Sequence, residues 1–178
     1  MKLRQAENLS TLKKIENLYI QSFPKEERKP FSLILQKQKE EKVEILCIEK
    51  ENNFCGLMIL AKDNDNILLD YFAIKKEYQS QGIGSNSLKL LFNKYKNKNI
   101  IIEIESTKIN SNNQILRQKR KDFYLRNSFK IQDFCVNLFS VEMEILTNNN
   151  PINFQEYLNI YKNSYGNDII ENIKLIQE

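Results

Sequence analysis

The sequence contains no histidine, and this absence restricts its chemistry more than any other feature of the 178 residues. His-based catalytic triads and His-based metal sites are excluded. A nucleophilic cysteine is also unexpected, because no imidazole is present to activate it. Any general base at neutral pH must therefore be Asp, Glu, a Lys or Tyr with a shifted pKa, or a relayed water. We expect no metal site.

Cysteines and long apolar segments are scarce as well. Cys47, Cys55 and Cys135 are odd in number, are not spaced like metal ligands and lie in apolar strand contexts. They predict buried, reduced thiols in a cytoplasmic protein. The apolar runs have the length of strands, so no segment is expected to span a membrane. Residues 1–10 are polar and no apolar stretch follows them, so we expect no signal peptide.

The hydrophobic pattern predicts one α/β domain with a substantial core. The predicted order is a possible first strand (1–5), two helices (from about 10 and from 30), a three-strand antiparallel meander (43–50, 54–62, 67–74), a helix (85–96), a strand (100–106), a helix ending near 126 and a closing hairpin (129–134, 137–146). The strand 100–106 should lie parallel to 67–74, because a helix connects them. Residues 147–178 should form helices, including Ile173 and Ile176, packed on the domain made by residues 1–146.

A glycine-containing segment joins the strand ending in Phe72-Ala73-Ile74 to the helix that follows it. Its sequence, Gln79 to Gly84, reads QSQGIG. A strand, a glycine turn and a helix N-terminus bring several backbone N–H groups together, which suits a phosphate or pyrophosphate. Gly82 and Gly84 lack the side chains that would keep a ligand away from the backbone. A dinucleotide-binding turn would need a glycine in place of Ser87, and no P-loop signature is present.

The string Q-x-x-G-x-G after F-A-I resembles the acyl-CoA pyrophosphate loop of the GCN5-related N-acetyltransferase (GNAT) superfamily. Arg117–Phe129, RQKRKDFYLRNSF, resembles the fourth helix of that family with its F-Y-x-x-x-G-F motif, and Phe23–Arg28 is similar to a stretch in one bacterial branch. The resemblance spans most of the chain. It implies the GNAT fold, an α/β (α+β) architecture whose mixed central sheet has splayed parallel strands four and five, flanking helices and, here, a C-terminal helical extension.

The resemblance implies an acetyl-CoA-dependent N-acetyltransferase that acts on a primary amine of a small molecule or protein by direct transfer through a ternary complex. A non-catalytic acyl-CoA-binding sensor or interaction module of the same fold is the alternative. The implied coenzyme A contacts are the backbone of Phe72, Ala73 and Ile74 for the pantetheine and the amides of Gln79, Ser80, Gln81, Gly82, Ile83, Gly84 and Ser85 for the pyrophosphate.

Residues 89–130 carry 11 Lys or Arg and three acidic residues, a local net charge of +8. Two solvated helix faces account for most individual lysines, but the field favours a polyanion such as the ADP moiety of coenzyme A. Nucleic acid is the less favoured polyanion, because no RNA- or DNA-binding signature is present. We expect a monomer or homodimer that has no membrane partner.

Tyr124 matches the tyrosine of the family helix, whose hydroxyl can protonate the departing thiolate. The alternative reading, an aromatic on an apolar helix face, describes Phe123 better. The family has Asn where this chain has Arg117, which puts one coenzyme A contact in doubt. The family also has Gly where this chain has Ser128, so we expect Asn127 to adopt the left-handed conformation instead.

Glu103 matches a glutamate seen in some family members and is the candidate base or water relay. It shares one strand face with Glu105, and carboxylates on a central parallel strand are unusual. Alternatively, one of the two is solvated or pairs with Arg117 or Arg120. Further candidates for binding a cationic amine are Glu105, Asp70, Glu26 and Glu27.

Overall fold

The structure is a computed structural model that describes residues 1–176. Within them lie the strands β1 (Lys2–Gln5), β2 (Val43–Lys50), β3 (Asn53–Asp63), β4 (Asn66–Ile74), β5 (Asn99–Glu105), β6 (Lys130–Leu138), β7 (Val141–Thr147) and β8 (Ile173–Ile176). The helices are α1 (Leu9–Ser22), α2 (Phe31–Lys39), α3 (Ile83–Lys94), α4 (Gln114–Arg126), α5 (Phe154–Tyr165) and α6 (Asn167–Ile170), with short 3₁₀ turns at Lys25–Glu27 and Lys76–Tyr78.

The described strands form a mixed sheet in the order β1-β2-β3-β4-β5-β7-β6-β8. The β1–β2, β2–β3, β5–β7, β6–β7 and β6–β8 pairs are antiparallel, whereas β4 and β5 are parallel. The parallel ladder pairs residues 66, 67 and 68 with residues 99, 100 and 101, and β4 continues beyond it to Ile74. The predicted α/β class and mixed sheet with helices are confirmed.

The chain divides into two compact units, each with its own core. The first consists of residues 1–62 and 69–96. In it the adjacent strands β2 and β3 are buried almost throughout, with Ile15 and Tyr19 of α1 and Leu88 of α3 among the other core residues. The central segments of these strands, residues 45–48 and 57–61, are continuous apolar runs because both of their faces are covered.

The second unit consists of residues 63–68 and the chain from Asn97 onward. Its core includes Ile102 and Ile104 of β5, Leu146 of β7 and Ile160 of α5. The division predicted from the sequence, into residues 1–146 and 147–178, stays a prediction.

The prediction of helix for Ile173 and Ile176 was wrong. These residues begin and end β8, which pairs with β6 in the register Leu138–Ile173 to Cys135–Ile176. Gly166, with φ +106°, ends α5, and β8 then supplies partners for the backbone of β6. Gln177 and Glu178, the last residues of the predicted extension, lie outside the described residues.

Candidate active site

The segment between β4 and α3 is a turn with two left-handed residues. Gly82, with φ +74° and ψ 0°, is the N-cap of α3, and Ser80 has φ +59°. The side chain of Gln79 donates a hydrogen bond to the carbonyl of Ile74 at 2.9 Å, and Gln81 donates to the carbonyl of Glu77 at 2.8 Å. The segment is therefore fastened by its own side chains.

The first N–H groups of α3 have no acceptor within the helix, as at any helix N-terminus. They belong to residues 82–85, and the helix dipole adds positive potential there. A Cβ built on Gly82 would meet nothing nearer than Nδ2 of Asn86 at 4.0 Å. The glycine is required for its positive φ, and its exposed surface leaves the turn open to an anion.

Gly56 of β3 fixes the end of β4, a role that the sequence analysis missed. A Cβ at Gly56 would lie 2.3 Å from the carbonyl oxygen of Ala73 and 3.0 Å from Cδ1 of Ile74. Only glycine allows the two backbones to approach this closely. The available signal was a single glycine inside an otherwise apolar strand.

Tyr124 of α4 is buried, with 9% of its surface exposed. Its ring makes edge contacts with Phe123 and Phe129, at centroid distances of 5.1 and 5.5 Å. Among residues 1–176 its hydroxyl has no hydrogen-bond partner. Burial raises the pKa of Tyr124 to about 12, so the phenol is protonated at neutral pH and its proton is not committed to another group.

The end of α4 holds this ring in place through a Schellman motif. The N–H of Phe129 donates to the carbonyl of Tyr124 at 3.1 Å, and the N–H of Ser128 donates to that of Leu125 at 3.3 Å. Ser128 has φ +70° and Asn127 has φ −101°, so the prediction that Asn127 is left-handed was wrong. The side-chain amide of Asn127 donates through Nδ2 to the Phe123 carbonyl at 2.7 Å. This bond holds Asn127 at the C-cap and leaves the left-handed position to Ser128.

Glu103 on β5 is half-buried and accepts hydrogen bonds from two tyrosines of α5. The hydroxyl of Tyr161 lies 2.8 Å from Oε1 and 3.0 Å from Oε2. The hydroxyl of Tyr157 also donates to Oε1. The sequence predicts helix for residues 147–178, which include both tyrosines, and their spacing of four residues puts them on one helix face.

Glu105, two residues further along β5, is held by two arginines. Nη2 of Arg117 lies 2.7 Å from Oε1 of Glu105, and Nη1 of Arg120 lies 3.0 Å from its Oε2. Arg117 also donates to the carbonyl of Ser106 at 3.1 Å. Glu105 therefore follows the alternative left open by the sequence, an ion pair that ties β5 to α4.

Asp70 on β4 already has a cationic partner in the first unit. Nζ of Lys29 lies 2.9 and 3.0 Å from its two oxygens, and the two side chains are only 11% and 3% exposed. The hydroxyl of Tyr71 donates to the carbonyl of Glu27 at 2.9 Å, which fastens the segment containing Glu26 to β4. The side chains of Glu26 and Glu27 are exposed.

The comparisons decide the family. The family model described as "Acetyltransferase (GNAT) family" matches residues 12–119, more than half of the chain. The chain belongs to the GNAT acetyltransferase family. No curated protein sequence is significantly similar to it.

Solved structures show the GNAT fold. A putative GNAT-family acetyltransferase from Bacteroides thetaiotaomicron has a TM-score of 0.76 at 18% identity, covering 94% of this chain and 99% of its own. An acetyltransferase from Bacillus subtilis, solved in complex with CoA, has a TM-score of 0.59 at 15% identity over 82% and 96%. The ribosomal-protein-S18-alanine N-acetyltransferase of Escherichia coli has a TM-score of 0.64 at 15% identity over 85% and 95%.

Each compact unit of this GNAT chain carries its own set of candidate residues. The first unit contains the turn before α3, the end of β4, Asp70 and the Glu26–Glu27 pair. The second unit contains Tyr124, Glu103 and Glu105. No helix within residues 1–176 combines the length and apolar character needed to cross a bilayer. The same residues contain no group of three or more Cys, Asp or Glu arranged to hold a metal ion.

Proposed function

We propose that this protein transfers the acetyl group of acetyl-CoA to a primary amine, directly and within a ternary complex. Family membership and the CoA complex of the Bacillus subtilis structure support acetyl transfer as the general chemistry. The observation that carries the proposal of an enzyme is Tyr124: a buried phenol whose pKa burial raises to about 12, with no hydrogen-bond partner among residues 1–176. A module that only bound acyl-CoA would need no such proton donor.

The segment from β4 to α3 supplies the proposed coenzyme A site. The N–H groups of residues 82–85 at the N-terminus of α3 would hold the diphosphate, since they point away from the helix and carry positive potential. The backbone of Phe72, Ala73 and Ile74 lies beyond the residues of β4 that pair with β5, and it would bind the pantetheine amides like an added strand. The side-chain bonds of Gln79 and Gln81 keep this segment ordered.

Two residues of the second unit are proposed for the proton transfers. Acetyl-CoA, when bound, supplies an acyl thioester whose sulfur must leave. Tyr124 Oη donates its proton to that sulfur as the carbon–sulfur bond breaks. Glu103 accepts, directly or through a water, the proton that the amine nitrogen loses. No metal is needed for either transfer.

The acceptor is proposed to be a primary amine of a small molecule or a protein. The Escherichia coli structure is named for a protein acceptor, the alanine of ribosomal protein S18. In this chain an ammonium that approached Asp70 would compete with Lys29. The side chains of Glu26 and Glu27 are exposed to solvent and are the other proposed contacts for the ammonium. We place the reaction in the bacterial cytoplasm, where free buried thiols such as those of this chain stay reduced.

Thiol release tests the proposal. The protein is incubated with acetyl-CoA and a panel of small amines and peptides with free α- or ε-amino groups, and free coenzyme A is measured. The proposal predicts amine-dependent thiol release together with an acetylated amine in the mass spectrum. Coenzyme A binding by calorimetry without turnover on any acceptor would favour the non-catalytic sensor or interaction module.

A further inference from the structure

Helix α5 brings two hydroxyl groups to one carboxylate of β5. Tyr157 and Tyr161 are four residues apart, so their side chains lie on one face of the helix. Both rings are fully buried. Both hydroxyls donate to Oε1 of Glu103, that of Tyr161 at 2.8 Å, and the hydroxyl of Tyr161 also lies 3.0 Å from Oε2.

Helix α5 is fixed at both ends, so these hydroxyls have a defined position. At its start Asn153 and Glu156 form a capping box, with hydrogen bonds of 2.9 and 2.8 Å. After its end, β8 pairs with β6. Phe134 of β6 also contacts the ring of Tyr157, at a centroid distance of 6.1 Å.

The arrangement is more than a way to satisfy two buried hydroxyls. A carboxylate between Ile102 and Ile104 is costly to bury, and apolar side chains of similar volume would fill the space more easily. A carboxylate can accept about four hydrogen bonds, and Glu103 keeps exposed surface. Two donors on Oε1 hold the carboxylate in a fixed orientation.

We propose that Tyr157 and Tyr161 are positioning residues, which hold the Glu103 carboxylate in the orientation in which it takes the proton from the acceptor amine. In that step an N–H bond of the amine breaks and an O–H bond forms on Glu103. The C-terminal segment is then part of the acetyl-transfer machinery. The inference rests on the function proposed above.

The test compares each tyrosine variant in two backgrounds. Tyr157→Phe and Tyr161→Phe are made in the natural chain and in Glu103→Gln, and kcat and KM are measured with acetyl-CoA and an amine that the natural chain acetylates. In the natural background each change should lower kcat about tenfold, the factor that one hydrogen bond to a charged group represents, and leave the KM for acetyl-CoA unchanged. In the Glu103→Gln background it should lower kcat no further.

Tyr95→Phe is the matched control. It removes a tyrosine hydroxyl that donates to another buried carboxylate, that of Glu44 in the first unit, and should leave kcat unchanged. Thermal melts show that each variant is folded. An unchanged kcat in both tyrosine variants, or an equal loss in the Glu103→Gln background, would overturn the inference and leave the proposed function standing. A natural chain without turnover on any amine would overturn both.

Discussion

Replacing Tyr124 with Phe removes one hydroxyl and almost nothing else. The ring contacts with Phe123 and Phe129, at 5.1 and 5.5 Å, are available to a phenylalanine, and the backbone bonds that end α4 do not involve the side chain. Because the hydroxyl has no partner among residues 1–176, no intramolecular hydrogen bond is lost. The free energy of unfolding at neutral pH should therefore not decrease, because the substitution removes a buried hydroxyl that makes no stabilising bond.

The rate should change far more. A positioned general acid contributes on the order of 10²–10⁴ to a rate, so Tyr124→Phe should lower kcat at least about a hundredfold, or about 2.7 kcal/mol in activation free energy. The KM for acetyl-CoA should stay within about twofold, because the proton is transferred only in the transition state. Coenzyme A release with a saturating amine measures both constants. A kcat reduced by less than about threefold would remove Tyr124 from the acid role.

The raised pKa of Tyr124 gives an independent check on its burial. Below pH 10, the ordinary tyrosine pKa, both folded and unfolded chains keep this phenol protonated, so stability does not depend on it. Between pH 10 and about 12 only the unfolded chain ionises, and stability is lost. From pH 9 to 11 the natural chain should lose about 1 kcal/mol more than Tyr124→Phe in denaturant titrations. Equal losses would contradict the raised pKa.

Three further predictions concern binding and stability. Gly82→Ala and Gly82→Trp should each lower the free energy of unfolding by about 1–2 kcal/mol, because both place a side chain at a positive φ. Calorimetry should show that only the tryptophan variant, whose side chain covers the turn, loses coenzyme A binding; retained affinity in that variant would refute the proposed site. Gly56→Ala should destabilise by about 1–3 kcal/mol, since its Cβ would lie 2.3 Å from the Ala73 carbonyl; an unchanged melting temperature would refute the close approach. Lys121→Met should cost about 3 kcal/mol by leaving the carboxylate of Glu144, 1% exposed, without its cation, whereas adding Glu144→Gln should restore part of this loss.

The turn before α3 could be predicted because its causes are local. A strand followed by glycines and a helix start leaves few conformations, and the structure has the left-handed glycine at Gly82. The end of α4 was predicted only in part. The need for a left-handed residue was clear from the motif, but the choice between Asn127 and Ser128 depended on the hydrogen bond from Asn127 to Phe123, which intrinsic preferences do not reveal.

Long-range contacts could not be predicted in the same way. The partners of Glu103 come from a helix more than 50 residues away in sequence, and the partner of Asp70 lies 41 residues before it. The strand β8 has too short an apolar pattern to be told from a helix without its partner β6. By contrast, the arginine pair of Glu105 was foreseen as one alternative, because the sequence showed a basic helix following the strand.

A crystal structure of the complex with acetyl-CoA would show whether the turn before α3 binds the cofactor. We predict diphosphate oxygens hydrogen-bonded to the backbone N–H groups of residues 82–85 and pantetheine amides bonded to the backbone of Phe72–Ile74. A diphosphate bound away from the N-terminus of α3, or a pantetheine that leaves the end of β4 untouched, would contradict this prediction.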